Sequence, residues 1–378
     1  MPETVSIKIA GPAGTGVKSI GKTLTRLLVE DGYHCSCYLE YSSLIRGGRN
    51  TATITVRSDS DHVIDNKYKL FIPLTQESLD NELNILPKPT KIIKDFINSL
   101  NVDAEALFKL VKSLDLPSKN HNKKILISGN EAVVIGAIAS GLNFYSAYPM
   151  TPATSIFNAL NKVSDSLGVV VCQTEDEISA INMAIGASFA GALSMTASSG
   201  GGFALMCESV SLAGMIETPL VIALISRPGP ATGLPTWTAQ EDLLFAINAG
   251  HGEFAKIVLS PSSPEEAYEL THEAFKLSQK YQVPVIILSD KYLGETYFSQ
   301  LEFKDLEPVQ LSSVTKPARK LESGLFTRYA YTPDGIHDRT LPGMEGGEYV
   351  AESKEHEVAG LTTESAQERE LRHQHLKN

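Results

Sequence analysis

"KILISGNEAVVIGAIASGLNFYSAYPMTPATS", residues 124 to 155, decides the fold class. "KILIS" is a short apolar run with the length of a strand, and "EAVVIGAIASG" has the length and composition of a helix closed by glycine. "NFYSAY" is a second strand. It ends in a turn in which Pro149 and Pro152 bracket Thr151, and a helix near Ile156 to Val163 follows. A chain that alternates strand and helix in this way, with strands apolar on both faces, predicts a parallel sheet covered by helices.

The rhythm continues downstream. "VVVCQT" precedes a helix over Glu175 to Ala190, "LSMTAS" precedes Gly200 to Gly202 and another helix, and "PLVIALIS" ends at "RPGPATGLPT". "KIVLS", a helix from Pro264 to Lys280, and "PVIILSD" close the series. The expected parallel-sheet domain spans residues 125–300. Every unusual loop follows a strand, and ligands of open α/β sheets bind outside the carboxyl ends of strands, so these loops should share one rim.

Upstream, "TVSIKIA", the loop "GPAGTGV" and a helical pattern from Lys18 to Glu30 open a separate βα unit. Strands are expected at 35–39, 51–56 and 69–74, with helices near 91–100 and 103–114. These elements define an α/β domain over 1–114, and "DLPSKNHNKK" (115–124) reads as a linker. Beyond residue 300 the periodicity fades. The segment 301–378 is expected to be a connector and tail, partly extended or disordered.

Composition removes several classes of function. A formal charge of -11 argues against nucleic acids and anionic membranes as partners. No run of about 18 apolar residues offers a membrane span, and Met1 to Ala10 is an alternating strand without a signal core, which predicts a cytoplasmic protein. Cys35, Cys37, Cys172 and Cys207 are too scattered for a disulfide scaffold and lack the C-x-x-C spacings of zinc or iron–sulfur ligation; Cys35-x-Cys37 could bind metal, but reads first as a strand with small side chains, so no metal site is expected.

Several loops carry chemistry. Gly11, Gly14 and Gly16 lie between a strand and a helix, where backbone amides can hold a phosphate, or where glycine serves only tight packing. "RGGRN", Arg46 to Asn50, offers two guanidiniums to an anion or a partner chain, or to solvent. In "ASSGGGFALMCE" three consecutive glycines allow backbone to approach a ligand or another chain closely. Glu175, Asp176 and Glu177 stand at the start of an Ala-rich helix, as the helix dipole favours, and a partly buried Glu177 could exchange a proton with a heterocyclic nitrogen. Arg227 at a strand end can clamp a carboxylate through two parallel hydrogen bonds, on a proline-rich loop expected to be extended. His251, between glycines, is a structural or a chemical histidine.

Taken together, "YPMTPATS", "EDEISAINMAIGASFAGA", "SSGGGFALM", "RPGPATGLPT", "GHGEF" and "PVIILSDKYLGE" resemble the α subunit of 2-oxoacid:ferredoxin oxidoreductases, closest to the 2-oxoglutarate type. "GPAGTGV…EYSSLIRGGRNTATITV" is similar to the γ-type domain that some members fuse ahead of α. The resemblance implies a γ-type α/β domain followed by a pyrimidine-type thiamine diphosphate domain. It implies that Thr151 contacts the reacting end of the oxoacid. Glu177 would hydrogen-bond the aminopyrimidine and promote its imino tautomer. Arg227 and Thr236 would bind the substrate, while Tyr148, Pro149, Gly200 and Gly201 would meet the cofactor.

No G-D-G motif and no cluster-binding cysteine set occur here. The resemblance therefore assigns Mg²⁺, the diphosphate end and a [4Fe–4S] cluster to a β subunit that passes electrons to ferredoxin, with coenzyme A as co-substrate. Trp237 stands where the family carries arginine, and Ala13 and Thr15 depart from the family's G-x-G-G-Q-G loop. The family's α subunit also extends about one further domain, roughly 150 to 200 residues, beyond the equivalent of Asn378. The competing expectations are a non-catalytic assembly or regulatory paralogue, pyruvate or branched-chain specificity, and another thiamine diphosphate enzyme.

Overall fold

Two sheets organise the chain in the computed structural model, which describes residues 4–42, 48–59, 64–99, 102–311, 314 and 320–375. The first part of the chain supplies β1 (Thr4–Pro12), α1 (Val17–Glu30), β2 (His34–Glu40), β3 (Arg49–Arg57) and β4 (Tyr68–Pro73). It continues with α2 (Gln76–Glu82), β5 (Lys91–Ile92) and α3 (Ala104–Lys112). Next come β6 (Lys124–Ser128), α4 (Gly129–Ala139), β7 (Phe144–Ala147), α5 (Thr154–Leu167), β8 (Val170–Gln173) and α6 (Glu177–Phe189). Then follow β9 (Ser194–Ser198), α7 (Gly200–Met215), β10 (Leu220–Ser226), α8 (Leu243–Asn248), β11 (Ile257–Leu259) and α9 (Pro264–Tyr281). The series ends with β12 (Pro284–Asp290), α10 (Lys291–Glu295), β13 (Tyr297–Leu301) and α11 (Ala366–His375).

The expected parallel sheet is present, in the order β11-β12-β10-β9-β7-β8. All seven residues of β10 are buried, as a strand covered on both faces requires. One core, with Tyr145, Met195, Val221 and Phe275, lies under α4, α5 and α9. A second, with Ile181, Phe203, Ile222 and Leu288, lies under α6 and α7.

The other sheet runs β5-β4-β1-β3-β2-β13-β6 and mixes parallel and antiparallel pairs. Here the expectation for "KILIS" needs correction. β6 does not open the parallel sheet but pairs antiparallel with β13, Ser128 opposite Tyr297, and β13 pairs in turn with β2. The reason lies in its two faces: Ile125 and Ile127 pack into the core under α4, whereas Leu126 packs into the core of the first sheet. An apolar pentapeptide between two cores reads the same from either side. The first sheet therefore draws strands from both sides of 115–124.

The helix expected near 91–100 is absent among the described residues; β5 and a turn stand there. Ile93 and Phe96 do face the first core, so their helical spacing records burial rather than a helix. The segment after β13 is largely irregular but not loose. Arg328 is 1% exposed, and Phe326, Tyr329, His337 and Ala359 are buried with it. Arginine, histidine and irregularly spaced aromatic side chains do this packing, which is why apolar periodicity did not announce it. Among the described residues, no helix is long and apolar enough to cross a membrane.

Candidate active site

Four neighbouring strands of the parallel sheet, β8, β7, β9 and β10, deliver the singled-out loops to one rim. β7 runs into the turn Tyr148–Ala153, β8 into α6, β9 into α7, and β10 into Arg227.

The turn is held from outside itself. The N-cap of α5, Ala153, has no capping side chain, and the local ties are the Thr154 amide to the Met150 carbonyl at 3.1 Å and the Ser155 hydroxyl to the Pro152 carbonyl at 3.3 Å. Arg227 donates from Nη1 to the Thr151 carbonyl at 2.5 Å. On the other flank Asn130, fully buried in the first turn of α4, donates from Nδ2 to the Pro152 carbonyl at 3.0 Å and to Ser155 Oγ at 2.7 Å. Thr151 and Pro149 are half-buried between these anchors, and Tyr148 is exposed.

The three acids before α6 separate by role. Asp176 is the N-cap, its Oδ1 accepting from Ser179 N at 2.7 Å. Glu175 is exposed, and Glu177 is buried at 3% exposure. Its Oε1 has no hydrogen-bond partner. Burial pushes the Glu177 carboxyl up, with Asp176 adding to the rise, while its own backbone amide and Arg227 oppose it. Arg227 is buried too, which lowers its pKa, with Glu177 pulling the other way. The two form a desolvated, opposite-charge couple at the rim.

Room for that carboxylate comes from the glycine run. A Cβ at Gly202 would collide with Glu177 Oε1 and Ser198 Oγ. Gly200 instead packs on Asp242, and Gly201 lies 3.3 Å from the Ala231 carbonyl in terms of the Cβ it lacks. The three glycines thus serve three different close approaches, and Gly202 is the one that meets the glutamate. The side chain of Ser199, at the N-cap of α7, is buried without a partner nearby.

The loop after β10 is more tied than its composition predicts. Leu234 N donates to the Pro228 carbonyl at 3.1 Å, and Gly229 N to Glu241 Oε2 at 3.1 Å. Gly233, at φ 53°, crowds the same Pro228 carbonyl so closely that no side chain fits. Thr236 and Trp237 line a cavity of about 270 Å³ at the seam with the first sheet, facing Tyr38, Glu40, Arg49 and Thr51.

The remaining singled-out residues lie elsewhere. Gly11, Gly14 and Gly16 sit in the β1–α1 connection of the first sheet, where the Ala13 and Thr15 amides already donate to Gly48 O and Pro12 O. Arg49 pairs with buried Glu82, while Arg46 lies outside the described residues. His251 is hydrogen-bonded to Ser211 and lines a cavity with Arg372 and His373. Asn130 escaped the sequence reading. Its signal was an asparagine beside Ser128, which serves as the N-cap of α4 in a capping box with Glu131.

A buried carboxylate with an orphaned oxygen, a buried guanidinium and a doubly anchored turn are gathered at the strand ends of a parallel sheet, where open α/β sheets bind their ligands. The comparisons with known proteins make this specific. Residues 135–373 match the model described as pyruvate flavodoxin/ferredoxin oxidoreductase, thiamine diP-bdg, and residues 6–198 match pyruvate ferredoxin/flavodoxin oxidoreductase. The chain belongs to this pyruvate flavodoxin/ferredoxin oxidoreductase family of thiamine diphosphate-binding chains.

The α subunit of 2-oxoacid:ferredoxin oxidoreductase 1 from Sulfurisphaera tokodaii is 40% identical over 269 residues, 68% of this chain and 42% of the relative. The 2-oxoglutarate synthase subunit KorA of Archaeoglobus fulgidus is 43% identical over 224 residues, 58% of this chain and 64% of the relative. The chain therefore spans about two fifths of the first relative's length. Among solved structures, 2-oxoglutarate:ferredoxin oxidoreductase from Magnetococcus marinus, determined with 2-oxoglutarate, coenzyme A and succinyl-CoA bound, superposes with a TM-score of 0.85 at 26% identity. That match covers 100% of this chain and 78% of the other.

Proposed function

We propose that this chain forms the pyrimidine-binding half of a 2-oxoacid:ferredoxin oxidoreductase that converts a 2-oxoacid to its acyl-CoA, with 2-oxoglutarate as the first substrate to test. The observation that carries the reading is the buried Glu177 carboxylate, whose Oε1 lacks a partner and faces the space kept open by Gly202. A buried acceptor without a partner costs about 1–3 kcal/mol, so a ligand donor is expected to complete it. A protonated ring nitrogen of an aminopyrimidine fits that donor, and the raised pKa suits a group that shares a proton.

Thiamine diphosphate, when bound, supplies the nucleophilic carbon and electron sink for decarboxylation. This chain's own residues do the rest of the work on this side. Glu177 holds the proton at the ring nitrogen. Arg227 spends Nη1 on the Thr151 carbonyl and turns its remaining nitrogens to the substrate carboxylate. Thr151 presents its hydroxyl beside them, and the buried setting strengthens each contact.

A second chain would bring Mg²⁺, the diphosphate end and the [4Fe–4S] cluster that passes electrons to ferredoxin. The faces of α6 and α7 flanking Glu177 support such a partner. Ile178, Met183 and Leu205 are 48%, 41% and 51% exposed there, on helices apolar on their buried sides as well. The names of the KorA relatives and of the Magnetococcus structure support 2-oxoglutarate, while other relatives carry only the 2-oxoacid name. Co-purified with its partner, the wild-type chain should reduce a low-potential acceptor in a 2-oxoacid- and coenzyme A-dependent way. Thr151→Ala and Arg227→Ala should abolish that reduction. A wild-type complex silent with every 2-oxoacid, or variants at the wild-type rate, would overturn the reading.

A further inference from the structure

We infer that Asn130 is a positioning residue: its buried amide fixes the Pro152 carbonyl and thereby the location of Thr151. The catalytic meaning of this rests on the function proposed above; the positioning itself does not. Three observations carry it. The N-cap of α5, Ala153, offers no side-chain acceptor, and the local side-chain tie to the Pro152 carbonyl is the longer bond from Ser155 Oγ at 3.3 Å, against 3.0 Å from Asn130 Nδ2. One nitrogen, Asn130 Nδ2, serves both the Pro152 carbonyl and Ser155 Oγ, at 3.0 and 2.7 Å, so a single side chain ties the turn to the first turn of the helix. Arg227 grips the Thr151 carbonyl from the opposite flank, so Thr151 is suspended between a side chain from α4 and one from the end of β10.

Asn130 is itself immobilised. It lies between Ser128 and Glu131 of the capping box, and it packs against the bare α-carbon of Gly294 in α10, where a Cβ would come within 2.8 Å of Asn130 Oδ1. Oδ1 has no hydrogen-bond partner. A buried amide that leaves its acceptor unsatisfied while its donor is used twice is retained for what the donor holds. Rotating the amide would put the oxygen against the Pro152 carbonyl, so only one orientation is compatible with the turn. Positioning of this kind matters because a displacement of about 1 Å at a reacting group can cost on the order of 10²-fold in rate.

The shape-preserving substitution Asn130→Asp removes the donor and keeps the volume. Amide hydrogen exchange on the full chain reads the outcome without activity, through the Thr154 amide, which donates to Met150 O across the turn, and the Ile156 amide, which donates to Ala153 O. Protection at these two should fall by about tenfold, while β9 and β10 amides keep theirs. If Asn130→Asp does not fold, Asn130→Ala, which removes the donor without adding a charge and leaves the Ser155 hydroxyl on the Pro152 carbonyl, should give the same localised loss. Unchanged protection at Thr154 and Ile156, or an equal loss throughout the parallel sheet, overturns the inference.

In the partnered complex, Asn130→Asp should lower kcat by at least about tenfold with a smaller change in KM for coenzyme A. A localised exchange loss with an unchanged kcat would remove Thr151 placement from the rate and overturn the catalytic part. A wild-type complex without 2-oxoacid activity would sink the proposed function while the exchange result still decides the role of Asn130.

Discussion

Glu217 should be the single most stabilising carboxylate on the side of the parallel sheet away from the rim. It sits in the turn between α7 and β10 at φ 48° and is 5% exposed. Arg328 Nη1 lies 3.8 Å and Arg372 Nη2 3.9 Å from its carboxylate, and His337 Nδ1 contacts Oε2 directly. These groups come from the irregular segment and α11, so one carboxylate fastens both to the end of α7, while Arg328 also reaches Gln282 after α9. Burial alone would raise its pKa. His337 and the two guanidiniums outweigh burial and hold the carboxyl at about 2, against an ordinary 4.5.

That difference, at about 1.4 kcal/mol per pKa unit, corresponds to about 3 kcal/mol. It matches the range of about 3–5 kcal/mol for removing one member of a buried ion pair. Glu217→Gln keeps the volume and the Arg328 bond to the Glu217 backbone carbonyl (2.9 Å), so the low end applies. At about 2 °C per kcal/mol for a chain of this size, the melting temperature at neutral pH should fall by about 6 °C. The sign with pH follows from a depressed carboxyl. Its stabilisation is complete above about 4.5 and is lost as pH falls towards about 2, so the gap between wild type and Glu217→Gln should close over that window. Calorimetry across a pH series reads both quantities. A variant melting within about one degree of wild type at neutral pH, or a gap unchanged in acid, would refute the reasoning.

Other outcomes follow from the rim. Glu177→Gln removes a carboxylate whose pKa burial raises, so at neutral pH urea titrations should find the chain no less stable than wild type, while 2-oxoacid turnover in the complex is abolished. Gly202→Ala drives a methyl into Glu177 and Ser198, and should cost about 1–3 kcal/mol together with turnover. Trp237 lines the seam cavity with Arg49 and Tyr38. If that cavity joins the substrate site, Trp237→Arg should change the ratio of kcat/KM for 2-oxoglutarate over pyruvate by about tenfold, roughly 1.4 kcal/mol. An unchanged ratio would separate the seam from substrate choice.

Much of this was legible in the sequence because the parallel sheet writes its rules locally. An apolar run, a glycine or proline loop and a helix repeat through residues 143–290, and each loop is chemically distinct. The same locality explains the placing of Glu177: a carboxylate at a helix start is visible, although its separation from Glu175 and Asp176 depends on which one faces Gly202. What failed was long-range. Pairing of Ser128 with Tyr297 joins residues far apart in the chain, and nothing in "KILIS" names its partner. Thr236 stands nine residues after Arg227, and that it lines the seam with the first sheet is set by the loop's long-range packing, which the spacing does not show. The segment after residue 300 packs through Arg328 and His337, and charge without apolar rhythm reads as solvated from sequence alone.

β6 and β13 lie side by side and antiparallel, like the two posts of a gate, with everything from α4 to α10 strung between them. In topological terms the parallel domain is an insertion within the first sheet, not an appendage to its end. During synthesis β2 can pair with β3 at once, but its second neighbour arrives only with Tyr297, so the first sheet is complete only after the second has been made. Cutting the chain between the two would leave the first module with an open edge.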